Sequence, residues 1–268
     1  MTVSDRAVDL PVVCCDLDGV IWRGEIAIPG SADAVRSLRD RGHRVVFLTN
    51  NSNLTAEQYL TKLGRVGIEA DGVDIASSAD AAAELLSHEL SPGARILVCG
   101  GDGVRAALEN VDLEPVETGN AEAVVVGWHR DFDFAALDRA ASAVRGGARF
   151  VATNVDATYP TPDGLLPGNG ALVAAVSTAS GSSPEVAGKP EAPMAAMVRR
   201  RFGHRGVMIG DRASTDGALA TALGWTFALV LSGVTTRAGG PGEESIPDPP
   251  PPFIAADLAE LTGELLES

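Results

Sequence analysis

Two aspartates two residues apart, Asp16 and Asp18 in VVCCDLDGV, close the first apolar run of the sequence. Residues two apart on a strand share a face, and Gly19 then lets the chain turn sharply. Carboxylates gathered at the carboxyl end of a parallel strand repel each other unless a hard cation or a proton sits between them. An acidic turn after a core strand is the plainer alternative. In FLTNNS a second apolar run ends on Thr49, Asn50, Asn51 and Ser52, with Thr55 at the mouth of the next helix. Hydroxyls, amides and helix N–H groups placed there suit phosphate oxygens, although such clusters also serve simply as caps. GKP sets Lys189 ahead of an apolar-periodic helix. An ammonium fixed there can offset charge on a transferring phosphoryl group, or it can face solvent. It is no Walker lysine, because no GxxxxGK[ST] precedes it. MIGDRASTDGA delivers Asp211 from a strand end of the same kind as that of Asp16, and Asp216 follows at a helix start, where the helix dipole favours an acid.

These residues need strands that end together. VVCCDLD, SADAVRSLRDRG, RVVFLTN and TAEQYLTKLGRVG alternate β-rich and amphipathic runs, the pattern of a parallel sheet with crossover helices. The alternation resumes late in EAPMAAMVRRRF, GVMIGD, DGALATALG and WTFALVLSG, and a helical stretch from Ala255 to Leu266 closes the chain. Another α/β block lies between. Because candidate chemistry stands on both sides of it, residues 78–182 read as an insertion into a module formed by 1–77 and 183–268. The expected fold class is α/β, a Rossmann-like parallel-sheet core with an inserted α/β cap. IPDPPPP, within Pro241–Pro252, is too rich in proline for helix or central strand and reads as a surface loop.

In order and in setting, the four runs resemble the four motifs of the haloacid dehalogenase (HAD) superfamily, and the likeness extends along nearly the whole chain. Within the superfamily the sequence is similar to the NagD-like group, which includes p-nitrophenyl phosphatases, glycerol 3-phosphate phosphatases and pyridoxal phosphate phosphatases. DLDGVIWRGEIAIPG, EAVVVGWHRDFDFAAL, FVATNVDATYPTPDGLLPGNGALVAAV and VAGKP carry that closer likeness. One departure is local: Ala213 and Ser214 fill the spacer before Asp216, where the group's pattern has a bulkier residue and an acid.

The resemblance implies a Mg2+-dependent phosphatase acting on a small-molecule phosphate ester of sugar, glycerol or nucleotide type. Asp16 is then the nucleophile that becomes an aspartyl-phosphate, and Asp18 protonates the leaving oxygen and later activates water. Mg2+ is held by Asp16, the Asp18 backbone carbonyl and Asp211. Thr49 and Asn50, with Asn51 beside them, orient phosphoryl oxygens. Lys189 offsets their charge, and Asp216 supports the metal shell or Lys189. The resemblance also sets the ATNVD loop over the active site, where Asn154 and Asp156 are candidates for substrate binding or for stabilising a turn, and it implies a cap-mediated homodimer. Haloacid dehalogenation on the same scaffold is disfavoured by Asp18, since a halide needs no general acid. A non-catalytic phospho-acceptor or sensor module is the other alternative, but it has no use for a large cap.

Composition agrees with a small-molecule function. Lys and Arg number 21 against 36 Asp and Glu, a net charge of -15 that repels nucleic acid. The densest basic run, Arg199–Arg201, reads as a helix C-terminus. Cys14, Cys15 and Cys99 make no disulfide framework, and a reducing, cytoplasmic setting fits. Cys14 and Cys15 read as small core side chains. The N-terminal stretch lacks the apolar core of a signal peptide, and Leu219–Val234 is too short and too broken for a bilayer span. His43, His88, His129 and His204 show no zinc-site spacing, and GGDG at 100–103 lacks the dinucleotide fingerprint.

Overall fold

The computed structural model describes residues 11–161, 164–240 and 242–267. Six parallel strands form one sheet, in the order Phe253–Ala255, Thr226–Val230, Gly206–Gly210, Val12–Asp16, Val45–Thr49, Ile75–Ser77. Val12–Asp16 is central, paired in parallel with Gly206–Gly210 on one side and Val45–Thr49 on the other. Helices cover both faces, so these strands are apolar throughout instead of alternating. Cys14 packs into the apolar cluster on one face and Cys15 into that on the other. Burial pushes the Cys15 thiol up to about 12 and raises Cys14 as well, so both are unreactive core side chains.

From the central strand the chain first builds outward through Val45–Thr49 and Ile75–Ser77, then returns to build the other side from Gly206–Gly210. The carboxyl end of Val12–Asp16 is therefore a point where strand order reverses, the place at which ligands bind open α/β sheets. Capping residues start the helices beside it. Thr55 accepts from the Gln58 N–H, and Gln58 accepts from the Thr55 N–H, opening the helix Ala56–Arg65. Ser77 and Asp80 do the same for Ser78–Ser87.

A second parallel sheet is built from the intervening residues, in the order Glu185–Val186, Arg149–Ala152, Ala123–Val126, Arg95–Cys99, Glu114–Val116. Glu185–Val186 lies past the boundary expected at 182. It pairs with Val151 and Ala152 and so belongs to the second sheet, a strand too short to declare itself by pattern. The helix Ser78–Ser87 joins the two units. Ala79, Ala81, Ala82, Ala83 and Leu86 are buried in a cluster holding Val46 and Leu48 of the first sheet, Ile96 and Val125 of the second, and Met194 and Met197 of helix Ala192–Phe202.

Details elsewhere follow local chemistry. The basic run ending helix Ala192–Phe202 is engaged within the fold: Arg200 and Arg201 pair with Glu84, and Arg199 donates to the Ala222 carbonyl. Ala255, expected to open the last helix, instead ends a strand at the sheet edge, and the helix runs Leu258–Glu267. Most of the proline-rich segment is loop, apart from the short strand Glu244–Ser245; Pro241 lies outside the described residues. Among the described residues no helix is long and apolar enough to cross a membrane.

Because one apolar cluster runs through both units, Leu86→Ala is expected to destabilise the whole protein by about 2–5 kcal/mol. Calorimetry should record a single transition shifted down; a separate early transition from one unit would show that the cluster does not couple them.

Candidate active site

Three carboxylates and one ammonium meet at the strand-reversal point. Asp16 ends its strand, Asp211 follows the end of Gly206–Gly210, and Asp216 lies in the turn Ala213–Gly217. Carboxylate oxygens of Asp16, Asp211 and Asp216 all lie within 4.8 Å of one another, and all three side chains are buried. Lys189, itself buried, donates from Nζ to Asp16 Oδ1 at 2.8 Å and to Asp216 Oδ1 at 2.7 Å. Burial opposes the lysine charge, yet the two carboxylates override it and hold the ammonium well above the ordinary lysine range. The turn also gives Asp216 a backbone donor, the Arg212 N–H, at 3.2 Å. Asp211 Oδ2 accepts from the Val234 N–H at 2.5 Å. Gly19, with a left-handed φ of 89°, and Gly233 lie so close to Asp211 that a Cβ at either would strike its carboxylate.

This cluster holds more negative charge than Lys189 offsets. Burial, then the Asp216 charge, pushes Asp211 up to about 7. Asp16 is raised well above the usual carboxylate range by burial, against the pull of Lys189 and with the push of Asp216 and Asp211. Hard oxygen donors, excess negative charge and carboxylates forced toward protonation are what a small divalent cation relieves. The residues present therefore fit such an ion.

The second motif reaches the cavity wall, and its side chains are also engaged within the protein. The Asn50 amide is fully occupied within the protein: Oδ1 accepts from the Lys189 N–H at 2.8 Å, while Nδ2 donates to the Lys189 carbonyl at 3.1 Å and to Asp156 Oδ2 at 3.1 Å. An amide with both ends bonded has little left to offer a phosphoryl oxygen; its evident work is to clamp the lysine. Asn154 lies on the cavity wall and is likewise engaged within the protein. Its Nδ2 donates to the Asn50 carbonyl at 2.6 Å and its Oδ1 accepts from the Asp156 N–H at 3.1 Å, so it braces Asn50. Ser78 Oγ donates to the same carbonyl at 2.5 Å. Asn51 Oδ1 accepts from the Asn53 N–H, and Thr55 is a helix cap. Thr49 is buried on the cavity wall, and its Oγ1 accepts from the Asn51 N–H at 3.1 Å, which leaves the hydroxyl proton to donate.

Asp18 stands apart from the carboxylate cluster. Its Oδ1 accepts from Trp22 Nε1 at 3.2 Å and from the Tyr159 hydroxyl at 3.3 Å. Burial raises it above the usual carboxylate range, while Lys62 and these two donors pull the other way. Asp16, Asp18, Thr49, Asn50, Asn51, Asn154, Lys189 and Asp211 line one cavity, and Trp128, Asp156, Tyr159, Asn169 and Arg212 are among the other residues of its wall.

Models of the haloacid dehalogenase-like hydrolases match residues 13–114 and 186–261. D-glycerol 3-phosphate phosphatase of Mycobacterium tuberculosis is 40% identical over 249 residues, spanning 92% of this chain and 69% of that protein. The chain belongs to the haloacid dehalogenase-like hydrolases. Acid sugar phosphatase of Staphylococcus aureus is 34% identical, over 93% of this chain and 96% of that protein. A structure of glycerol phosphate phosphatase from M. tuberculosis in complex with magnesium superposes with a TM-score of 0.83, at 35% identity over 94% of this chain and 76% of that one. NagD from E. coli superposes at 0.79, with 28% identity over 94% and 98% of the two chains. Within the haloacid dehalogenase-like hydrolases this is the NagD-like phosphatase group.

Against that family background, the residues missed in the sequence are those that reach the site from the inserted unit or from turns: Trp128, Tyr159 and Arg212, with Trp22 behind Asp18. Three of them stand in the runs that carry the NagD-like likeness, but no spacing rule marks a lone aromatic as facing a carboxylate. Asn154→Ala removes a brace behind the lysine clamp, and both hydrogen bonds of that amide run to protein backbone. It is expected to lower kcat/KM for p-nitrophenyl phosphate and for an alkyl phosphate by the same factor, about tenfold. A loss confined to the alkyl phosphate would restore Asn154 to substrate binding.

Proposed function

We propose that the protein is a Mg2+-dependent phosphatase that hydrolyses a small phosphate monoester, of glycerol or sugar type, through an aspartyl-phosphate on Asp16. The observation that carries this reading is the placement of Asp16: it lies at the strand-reversal point with Lys189 on Oδ1, which leaves Oδ2 for attack on phosphorus. Lys189, fixed through its backbone by Asn50, faces the charge that gathers on the phosphoryl oxygens, and Asp216 keeps its ammonium charged. The Thr49 hydroxyl orients one of those oxygens. Asp18 gives a proton to the leaving oxygen and later takes one from the water that opens the acyl phosphate. Asp16 and Asp211, with the Asp18 backbone carbonyl, would hold Mg2+, whose chemistry there is to neutralise phosphoryl charge.

The relatives support the substrate class, since two of them are a glycerol 3-phosphate phosphatase and an acid sugar phosphatase. In the same reading the inserted unit is a cap that supplies leaving-group contacts. A cap-mediated homodimer rests on the family resemblance alone, and a cytoplasmic location on the cysteine usage of the sequence.

Asp16→Asn replaces the nucleophile with an amide of nearly the same size. Turnover of p-nitrophenyl phosphate should fall below about one per cent of wild type with the melting temperature preserved. Retained turnover, with deamidation excluded by mass spectrometry, removes Asp16 from that role, and metal binding without turnover in the wild type would favour the sensor alternative.

The raised Asp211 sets a pH dependence. Its proton is held in the folded state up to about 7 but released near the ordinary carboxylate value when unfolded. Metal-free stability is therefore fullest at low pH and declines as pH rises toward 7, after which this contribution is lost. Mg2+ reverses the penalty. The rise in melting temperature on adding Mg2+ should be larger at about pH 8 than at about pH 5, and Asp211→Asn should reduce the difference.

A further inference from the structure

The hairpin formed by Thr158–Thr161 and Gly164–Pro167 brings Tyr159 from the inserted unit onto the catalytic side of the first sheet. Its ring is fixed from two directions. Tyr159 pairs across the hairpin with Leu166, and it stacks on Trp128 with centroids 4.8 Å apart and planes tilted by 30°. Trp128 is in turn tied to the hairpin through Nε1, which donates to the Pro167 carbonyl at 2.9 Å. A phenol, with an ordinary pKa of about 10, is a neutral donor across the working pH range.

The phenol and the Trp22 indole converge on one oxygen. Both donate to Asp18 Oδ1, and among the described residues no side chain or backbone donor bonds Oδ2. The two donors come from opposite units. Trp22 is buried in the first, under the Lys62 ammonium 4.4 Å from its ring, whereas Tyr159 lies 141 residues along the chain from Asp18. A carboxylate pinned through one oxygen presents the other in a defined direction.

We propose that Tyr159 is a positioning residue for proton transfer: with Trp22 it pins Asp18 Oδ1, so that Oδ2 alone exchanges the proton, and only while the hairpin of the inserted unit is seated. This rests on the phosphatase reading given above. In the first step the Asp16 Oδ2–P bond forms, the P–O bond to the leaving group breaks, and the proton passes from Asp18 Oδ2 to the departing oxygen. In the second, water gives a proton to the same Oδ2 as its oxygen attacks phosphorus and Asp16 departs. An alkoxide needs the first proton transfer, whereas p-nitrophenolate is stable enough to leave without it. A misdirected Asp18 therefore hurts one substrate class more than the other.

The test is Tyr159→Phe, which keeps the ring and its stack on Trp128 but removes the donor. It compares kcat/KM, a constant insensitive to the later hydrolytic step, for p-nitrophenyl phosphate and for the best of a panel of alkyl phosphates. At 3.3 Å the phenol contact is long for an O–H···O bond, so a moderate effect is expected: a loss of about tenfold on the alkyl phosphate and less than about threefold on p-nitrophenyl phosphate. Trp22→Phe, which removes the other donor to the same oxygen, should give the same selective loss. Equal losses on both substrates would make Tyr159 a packing residue and overturn the proposal, as would no loss on either. Asp18→Asn separates the two levels of the argument. If it spares alkyl phosphates, the general-acid reading itself fails; if it abolishes their turnover while Tyr159→Phe changes nothing, only the positioning role fails.

Discussion

A buried ammonium can keep its proton only beside negative charge, and buried carboxylates can stay ionised only beside positive charge. Lys189, Asp16 and Asp216 satisfy both conditions together, within 2.8 Å on each side of the lysine nitrogen. Removing the lysine would leave both carboxylates as uncompensated charges out of water, whereas losing the Asp16 charge leaves Lys189 paired with Asp216. Everything that fixes the lysine inherits that importance. The Asn50 amide brackets its backbone, Asn154 and Ser78 hold the Asn50 carbonyl, and Gly188 lies so near Thr153 and Asn50 that no side chain fits there.

That dependence explains why two sheets are needed to hold one lysine. Thr153 and Asn154 leave the carboxyl end of a strand in the second sheet, while Asn50 and Ser52 leave one in the first. The two ends meet through the Ser52 and Thr153 hydroxyls, 3.0 Å apart, and through the Asn154 to Asn50 bond. The inserted unit is thus part of the charge-holding structure as well as a wall of the cavity. Asp18 follows a different logic. It is held by two aromatic donors away from the lysine, so that neighbouring aspartates on one strand end experience separate environments and can serve separate chemistry.

Much of this was legible in the residues. The strand-end aspartates, the GKP lysine and the alternation of runs lead to the sheet, to its reversal point and to Asp16, Lys189, Asp211 and Asp216. What was not legible is how amides are shared out. Asn50 and Asn154 stand where a ligand-binding side chain would, and only the positions of Lys189 and Asp156 in space reveal that protein groups already occupy both ends of each amide. Short strands were lost for a related reason. Glu185–Val186 is two residues long, and membership in the second sheet depends on a partner strand far back in the sequence. Tyr159 was invisible because a hairpin, whose reach depends on the seating of a whole unit, decides where its hydroxyl ends.

The central place of the Val12–Asp16 strand also governs how the chain must be made. One of its two neighbours, Gly206–Gly210, is encoded far downstream, and the lysine that neutralises Asp16 comes 173 residues after it. At ~5–20 residues per second, a ribosome takes roughly 10–35 s to cover that distance. Until Gly206–Gly210 is made, the nascent strand keeps at least one edge with free N–H and C=O groups, the template on which strands from other chains add. The centre is therefore completed only after a period of exposure during synthesis, which the stability of the finished fold does nothing to shorten.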